Sequence, residues 1–202
     1  MAGGGKLEYF RGMGPLARSV TAEHVGVLND GTATEDALLQ AMASSGLAFP
    51  VVAKPDLGLC GYGVRLVPGM AALLAYLAVF PEGETVVLQR YLPQEGEAGI
   101  FYARDPVTDE GRVIGLALRY FPRVTGDGRS TVAQLVAADV RARRIARSPR
   151  HQCSVPPDSV PAARQQVRLA TIGSTRVGGL YRDGAGLATP ELVRAIDAVA
   201  RD

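Results

Sequence analysis

The chain has 202 residues, a net charge of +2, 47% hydrophobic residues and 21% charged ones. That apolar content suffices for one domain or two small ones and excludes a disordered chain. The near-neutral charge and the lack of Trp argue against nucleic acid as a partner; Cys60 and Cys153 are too few and too far apart for a disulfide framework, so a reducing cytoplasmic setting is expected.

His24 and His151 are the only histidines, and no Cys/His cluster has metal-ligand spacing. The N-terminus has no apolar stretch of the signal-peptide kind, and the longest apolar run, residues 70–80, is too short to cross a bilayer. No membrane association is therefore expected.

In chain order, residues 1–16 read as a flexible tail and residues 16–27 as a strand ended by the turn Asn29-Asp30-Gly31. A helix follows, with Thr34 as N-cap, Ala37, Leu38, Ala41 and Met42 on one face, and Gly46 just beyond its end. Residues 49–53 are apolar or β-branched and read as a buried strand, and residues 64–67 as a second. Pro68 opens a helix carrying Met70, Leu73, Leu74 and Leu77. Residues 84–91, 97–104 and 112–120 are strands separated by short turns, which predicts an antiparallel meander.

Gly126-Asp127-Gly128-Arg129-Ser130-Thr131 is a turn into a helix capped by Ser130 or Thr131, with Val132, Leu135, Val136 and Val140 as its apolar face. Its predicted C-terminal end holds Arg141, Arg143, Arg144 and Arg147, where positive charge complements the helix dipole. Such a run is more often a solvated face than a nucleic-acid contact. Residues 148–163 read as a loop, 166–172 as a strand, and Gly178-Gly179 and Asp183-Gly184 as turns. The last helix has Thr189 as N-cap, Pro190 at its first position, and Leu192, Val193, Ile196 and Val199 as its apolar face.

Between the strands at 49–53 and 64–67 lies the most informative segment. Lys54 stands at the strand end and Gly58, Gly61 and Gly63 form a loop that lets backbone N–H groups approach a ligand. A cation beside such a loop suits a polyphosphate, although a plain β-turn and a surface lysine give the same pattern. Two further features bear on the choice. The strand Val86-Val87-Leu88-Gln89-Arg90-Tyr91-Leu92-Pro93 leaves its sheet at a proline, exposing backbone groups that can pair with an adenine edge; Glu95 and Glu97 follow as carboxylates that can take a ribose. Arg119 and Arg168 are cations in apolar strands, each needing a phosphate or a structural carboxylate. Neither the P-loop G-x-x-x-x-G-K-[ST] nor the Rossmann G-x-G-x-x-G is present.

The order Pro50-Val51-Val52-Ala53-Lys54-Pro55-Asp56, glycine loop, Leu88-Gln89-Arg90-Tyr91-Leu92-Pro93, Gly96-Glu97-Ala98-Gly99 resembles the ATP-grasp superfamily of carboxylate–amine ligases. Val124-Thr125-Gly126-Asp127-Gly128-Arg129-Ser130-Thr131 is similar to a segment of its cyanophycin-synthetase-like, glutamate–cysteine-ligase-like and D-alanine–D-alanine-ligase-like branch. The resemblance covers residues 17–202 and implies an α+β fold of two small lobes, residues 17–92 and 93–202, with antiparallel sheets and a nucleotide cleft between them.

It also implies roles. Lys54 contacts the α- and β-phosphates, and the loop through Gly58, Gly61 and Gly63 covers them. Gln89, Arg90 and Leu92 line the adenine, although Gln89 often corresponds to a Glu in this family. Glu97 holds the ribose, with Glu95 as the fallback. Arg119 contacts phosphate, and Arg168 reaches the triphosphate or acyl-phosphate as a catalytic residue. The implied reaction joins a small carboxylate to an amine through an acyl-phosphate, with ATP and magnesium as cofactors.

The pattern departs at the end. The family's metal carboxylates, an Asp and a Glu-x-Asn pair, lie beyond the helix that resembles residues 189–201, and this sequence stops at Asp202. The expectation is the ATP-binding portion of a ligase whose C-terminal part is missing, inactive alone. The alternative is a non-catalytic nucleotide-sensing or protein-interaction module, in which exposed apolar surface favours a homo-oligomer. Cys60, inside the loop, would make nucleotide binding sensitive to oxidation.

Overall fold

Short strands, with a continuously buried run Val86–Leu88 on the central one, build this chain. A computed structural model describes residues 4–58, 61–146 and 155–202. It is a mixed α/β structure whose sheets are antiparallel, divided into two compact units: residues 1–93 with Asp202, and residues 94–201.

The first unit contains α1 (Lys6–Gly12), α2 (Pro15–Ser19), β1 (His24–Leu28), α3 (Glu35–Ser44), β2 (Val51–Pro55), β3 (Arg65–Val67), α4 (Met70–Leu77) and β4 (Thr85–Arg90). Its sheet has the order β1-β4-β2-β3. The register pairs Val25 with Leu88 and Leu88 with Ala53, so these residues share one face with Val51, Val86 and Val67. That face packs on Leu38 and Met42 of α3 and Leu73 and Leu77 of α4 to form the core. Thr34 caps α3 by accepting a hydrogen bond from the Ala37 amide. The opposite face carries Val52, Lys54, Val87, Gln89, His24 and Gly26.

The second unit contains β5 (Glu97–Arg104), β6 (Gly111–Tyr120), β7 (Arg123–Thr125), α5 (Val132–Ala138), α6 (Arg143–Ala146), β8 (Gln166–Arg168), β9 (Leu180–Asp183) and α7 (Pro190–Arg201). β5, β6 and β9 form one sheet and β7 and β8 a second. The β5–β6 turn is closed by Asp105, whose Oδ1 accepts from the amides of Val107 and Thr108. α7 is tied to this hairpin by Arg201, which pairs with Asp109 at 2.7 Å and Asp197 at 2.8 Å, and by the Tyr102 hydroxyl donating to Asp197.

Several elements differ from the sequence-based expectation. Residues 6–12 form a helix rather than part of a flexible tail, and residues 15–19 are helical because Pro15 occupies the first helical position. The helix expected from Pro68 begins at Met70, with Gly69 as N-cap. The three-strand meander is only a hairpin: β4 is paired on both edges by β1 and β2 and has no edge left for β5. The basic run is not the end of α5. Asp139 takes an extended conformation, and its Oδ1 accepts from the amides of Arg141 and Ala142, so the helix stops at Ala138 and a new turn carries Arg143 and Arg144. Arg147 lies outside the described residues. The strand expected at 166–172 ends at Arg168, and the stretch between the two glycine turns is β9, which pairs with β6.

Candidate functional site

Lys54 lies on the β2 face opposite the core. Its Nζ donates to Oε1 of Gln89 on the neighbouring strand, and Gln89 Nε2 donates to the Ala22 carbonyl at 3.0 Å, which fixes the amide's orientation. Burial, with Lys6 adding like charge, holds the Lys54 ammonium below the ordinary lysine range. Among the described residues no carboxylate lies within 4 Å of it; its other neighbour is the Phe10 ring, 5.9 Å away. The structure therefore brings Lys54 and Gln89 together and, among the described residues, leaves the cation without a carboxylate partner.

The glycine loop is anchored from two sides. Tyr76 on α4 donates to the Gly63 carbonyl at 2.8 Å, and burial pushes that phenol up to about 12. Gly63 has a φ of 71°, and a Cβ there would sit 2.7 Å from Cγ of Pro55, so the close approach of the loop to β2 requires glycine. Gly61 also has positive φ, and Gly58 sits within ordinary contact of Pro55. Cys60 lies outside the described residues.

The second anchor is α1, which sequence reasoning missed. Lys6 Nζ donates to the carbonyls of Pro55 at 2.8 Å, Asp56 at 2.9 Å and Gly58 at 3.3 Å. In return, Asp56 Oδ1 accepts from the Leu7 amide at 2.8 Å, placing a carboxylate at the start of α1. Leu7 lies flat on β1 at Gly26, where a Cβ would come within 2.4 Å of Leu7 Cδ1, and Phe10 stacks against His24 with ring centroids 3.9 Å apart. Gly26, set between Val25 and Val27, is the one sequence signal that could have announced a docked helix.

Arg90 and Leu92 stand apart from this group. The Arg90 side chain pairs with Glu23 at 2.8 Å and its amide donates to the Glu23 carbonyl, so that N–H is already used. Leu92 lies past the end of β4 and is exposed.

In the second unit, Glu97 and Arg119 are directly opposite in the β5–β6 register, and Tyr181 is opposite Arg119 on β9, so all three share one sheet face. Arg119 lies with its Cζ 5.2 Å from the Tyr181 ring centroid. Gly99 leaves room for the guanidinium, since a Cβ there would be 3.0 Å from Nη2. Arg119 Nε is buried and has no hydrogen-bond partner among the described residues, and no ion pair joins Arg119 to Glu97. A buried donor without an acceptor is the signature of a group awaiting a ligand or a water.

Glu95 and Arg168 form a separate cluster. Arg123 and Arg168 face each other across β7 and β8, and Glu95 pairs with Arg123 and reaches Arg168 at 3.9 Å, offsetting two like charges. Arg168 also stacks over Phe121, 3.4 Å from the ring centroid, and donates from Nε to the Ala170 carbonyl. The Thr125–Thr131 turn is built locally. Asp127 accepts from the amides of Arg129 and Ser130 and from the Ser130 hydroxyl, which hold its carboxyl down to about 2, and Thr131 with Gln134 forms a capping box on α5.

Among the described residues no group of three His, Cys, Asp or Glu side chains could hold a metal ion, and no helix is long and apolar enough to cross a membrane. The cationic donors at Lys54 and Arg119 suit phosphate oxygens rather than a metal ion.

No family model matches the chain, and no curated protein matches it. Among solved structures the chain is similar to a bifunctional glutathione synthetase from Pasteurella multocida, with 17% sequence identity and a TM-score of 0.34, over 94% of this chain and 29% of that one. The chain thus spans less than a third of that protein's length.

Proposed function

We propose that the chain is the ATP-binding portion of an ATP-dependent carboxylate–amine ligase of the ATP-grasp type. The observation that carries this reading is Lys54: a desolvated ammonium with no carboxylate partner among the described residues, at the base of a glycine hairpin held by Tyr76 and Lys6. Taking a cation out of water without a counter-ion is costly, and a phosphate oxygen would offset that cost. Arg119, with its buried and unpartnered Nε, supports the same chemistry in the second unit.

In this reading Lys54 holds the α- and β-phosphates and the loop at Gly58, Gly61 and Gly63 covers them. Gln89 fixes the Lys54 ammonium and, with Arg90 and Leu92, borders the adenine. Glu97 takes the ribose and Arg119 a phosphate. Arg168, already paired with Glu95 and stacked on Phe121, would have to exchange the Glu95 contact for an acyl-phosphate. The chain's contribution is positioning and charge neutralisation. Magnesium bound to the nucleotide would supply further charge neutralisation, with its protein carboxylates expected outside this chain.

The test is thermal unfolding of the chain with ATP, beside Lys54→Met and Arg119→Met. The reading expects ATP to raise the melting temperature of the parent chain and to lose that effect in both variants. An ATP effect that survives in Lys54→Met contradicts it, as does robust amine-dependent phosphate release without added protein.

A further inference from the structure

A cavity of about 630 Å³ lies wholly inside the second unit, and none of the roles above uses it. Its volume is in the range of small-molecule sites. β6 and β9 place it: Tyr120, Leu180 and Arg182 share the sheet face opposite the one that carries Arg119 and Tyr181.

The cavity has an apolar body and a cationic rim. Phe121, Val124 and Ala142 are buried and contribute to its lining, and half-buried Leu135 and Leu180 add further apolar wall. Three arginines line it, Arg123, Arg141 and Arg182. Glu95 offsets Arg123, whereas among the described residues neither Arg141 nor Arg182 has a carboxylate within 4 Å. The one carboxylate on the lining, Asp139, is engaged locally: its Oδ1 accepts the amides of Arg141 and Ala142 at 2.8 and 2.7 Å, and these bonds, with the Arg141 and Arg143 charges adding, hold its carboxyl below the usual range. Gly178 fixes the lining further, since a Cβ there would stand 2.4 Å from the Arg141 carbonyl oxygen.

We propose that this cavity binds a small organic anion, with a carboxylate or phosphate on Arg141 and Arg182 and a short apolar body against Phe121, Val124 and Leu135. Two arginines with no carboxylate within 4 Å among the described residues suit an oxyanion, and the apolar wall favours an organic anion over a bare inorganic ion.

The experiment is an amide NMR titration of the whole chain, following Ala142, Gly178 and Leu135, with hexanoate, hexyl phosphate, hexanol, hexylamine and inorganic phosphate. Saturable shifts at these amides with hexanoate or hexyl phosphate are expected, the tighter of the two naming the anion class. Hexanol, hexylamine and inorganic phosphate should each bind at least about tenfold more weakly. The double variant Arg141→Gln/Arg182→Gln changes two exposed side chains and should weaken the better anion about tenfold while leaving the amide spectrum otherwise folded. Equal binding of hexylamine and hexanoate, no saturable shift with either anion, or an unchanged affinity in the double variant would each overturn the proposal.

Discussion

Lys54 and Arg119 are both cations drawn partly out of water, yet the chain surrounds them differently. Lys54 donates a hydrogen bond to Gln89 on β4, and the chain's own first helix brings Phe10 near it and Lys6 onto the adjacent loop. Arg119 lies on a sheet face between Gly99 and Tyr181, with Gly173 against its Cβ, and its Nε has no acceptor among the described residues. One cation is fixed by a neighbouring strand and a docked helix, while the other keeps an unsatisfied donor on its sheet face among the described residues. Arg168 marks the opposite extreme, an arginine largely satisfied by Glu95, Phe121 and Ala170.

The largest effect that would break this comparison is on nucleotide affinity. Lys54→Met should weaken ATP about 100-fold by calorimetry, in the range of losing a charge-assisted hydrogen bond. The same variant should unfold at a slightly higher temperature without ATP, because an uncompensated buried ammonium is removed. A lower melting temperature would show that the Gln89 contact outweighs desolvation.

The next effect concerns pH. Tyr76 is raised to about 12 in the folded chain by burial, above its ordinary value near 10. Between those values the folded state binds the proton more tightly than the unfolded state, so stability falls as pH rises from about 10 to 12, by roughly 2 kcal/mol. Tyr76→Phe should flatten that decline in urea titrations while costing about 1 kcal/mol near neutrality through the lost bond to Gly63.

Gly26→Val tests whether α1 is what differs between the two cations. Its side chain would displace Leu7, at a cost of about 2 kcal/mol from overpacking. Lys54, freed of α1, should titrate closer to an ordinary lysine, while Arg119→Met should leave Lys54 unchanged; both are read from lysine side-chain NMR. Smallest is Asp56→Ala, which removes the carboxylate at the start of α1 and should cost about 1 kcal/mol, with faster hydrogen exchange at the Leu7 amide.

The sequence carried the elements whose own residues announce them. α3 has its Thr34 cap and its buried Leu38 and Met42 at helical spacing, and β4 its fully buried Val86, Val87 and Leu88. It did not carry α1, β7 or β9. These are short, and their stability comes from partners far along the chain: Asp56 for α1, β8 for β7, β6 for β9. In the site, Lys54, its loop and Gln89 could be singled out because they are contiguous motifs. Lys6 could not, because it acts through backbone carbonyls 49 to 52 residues away, which no side-chain pattern reports. The basic run misled because one side chain, Asp139, breaks the helix that was to carry it.

The most direct test is the titration of the Lys54 ammonium by NMR, with and without ATP. Lys54 should titrate below an ordinary lysine in the free chain and move upward when ATP binds, as a phosphate supplies a counter-charge. A Lys54 whose titration is unchanged by saturating ATP would contradict it.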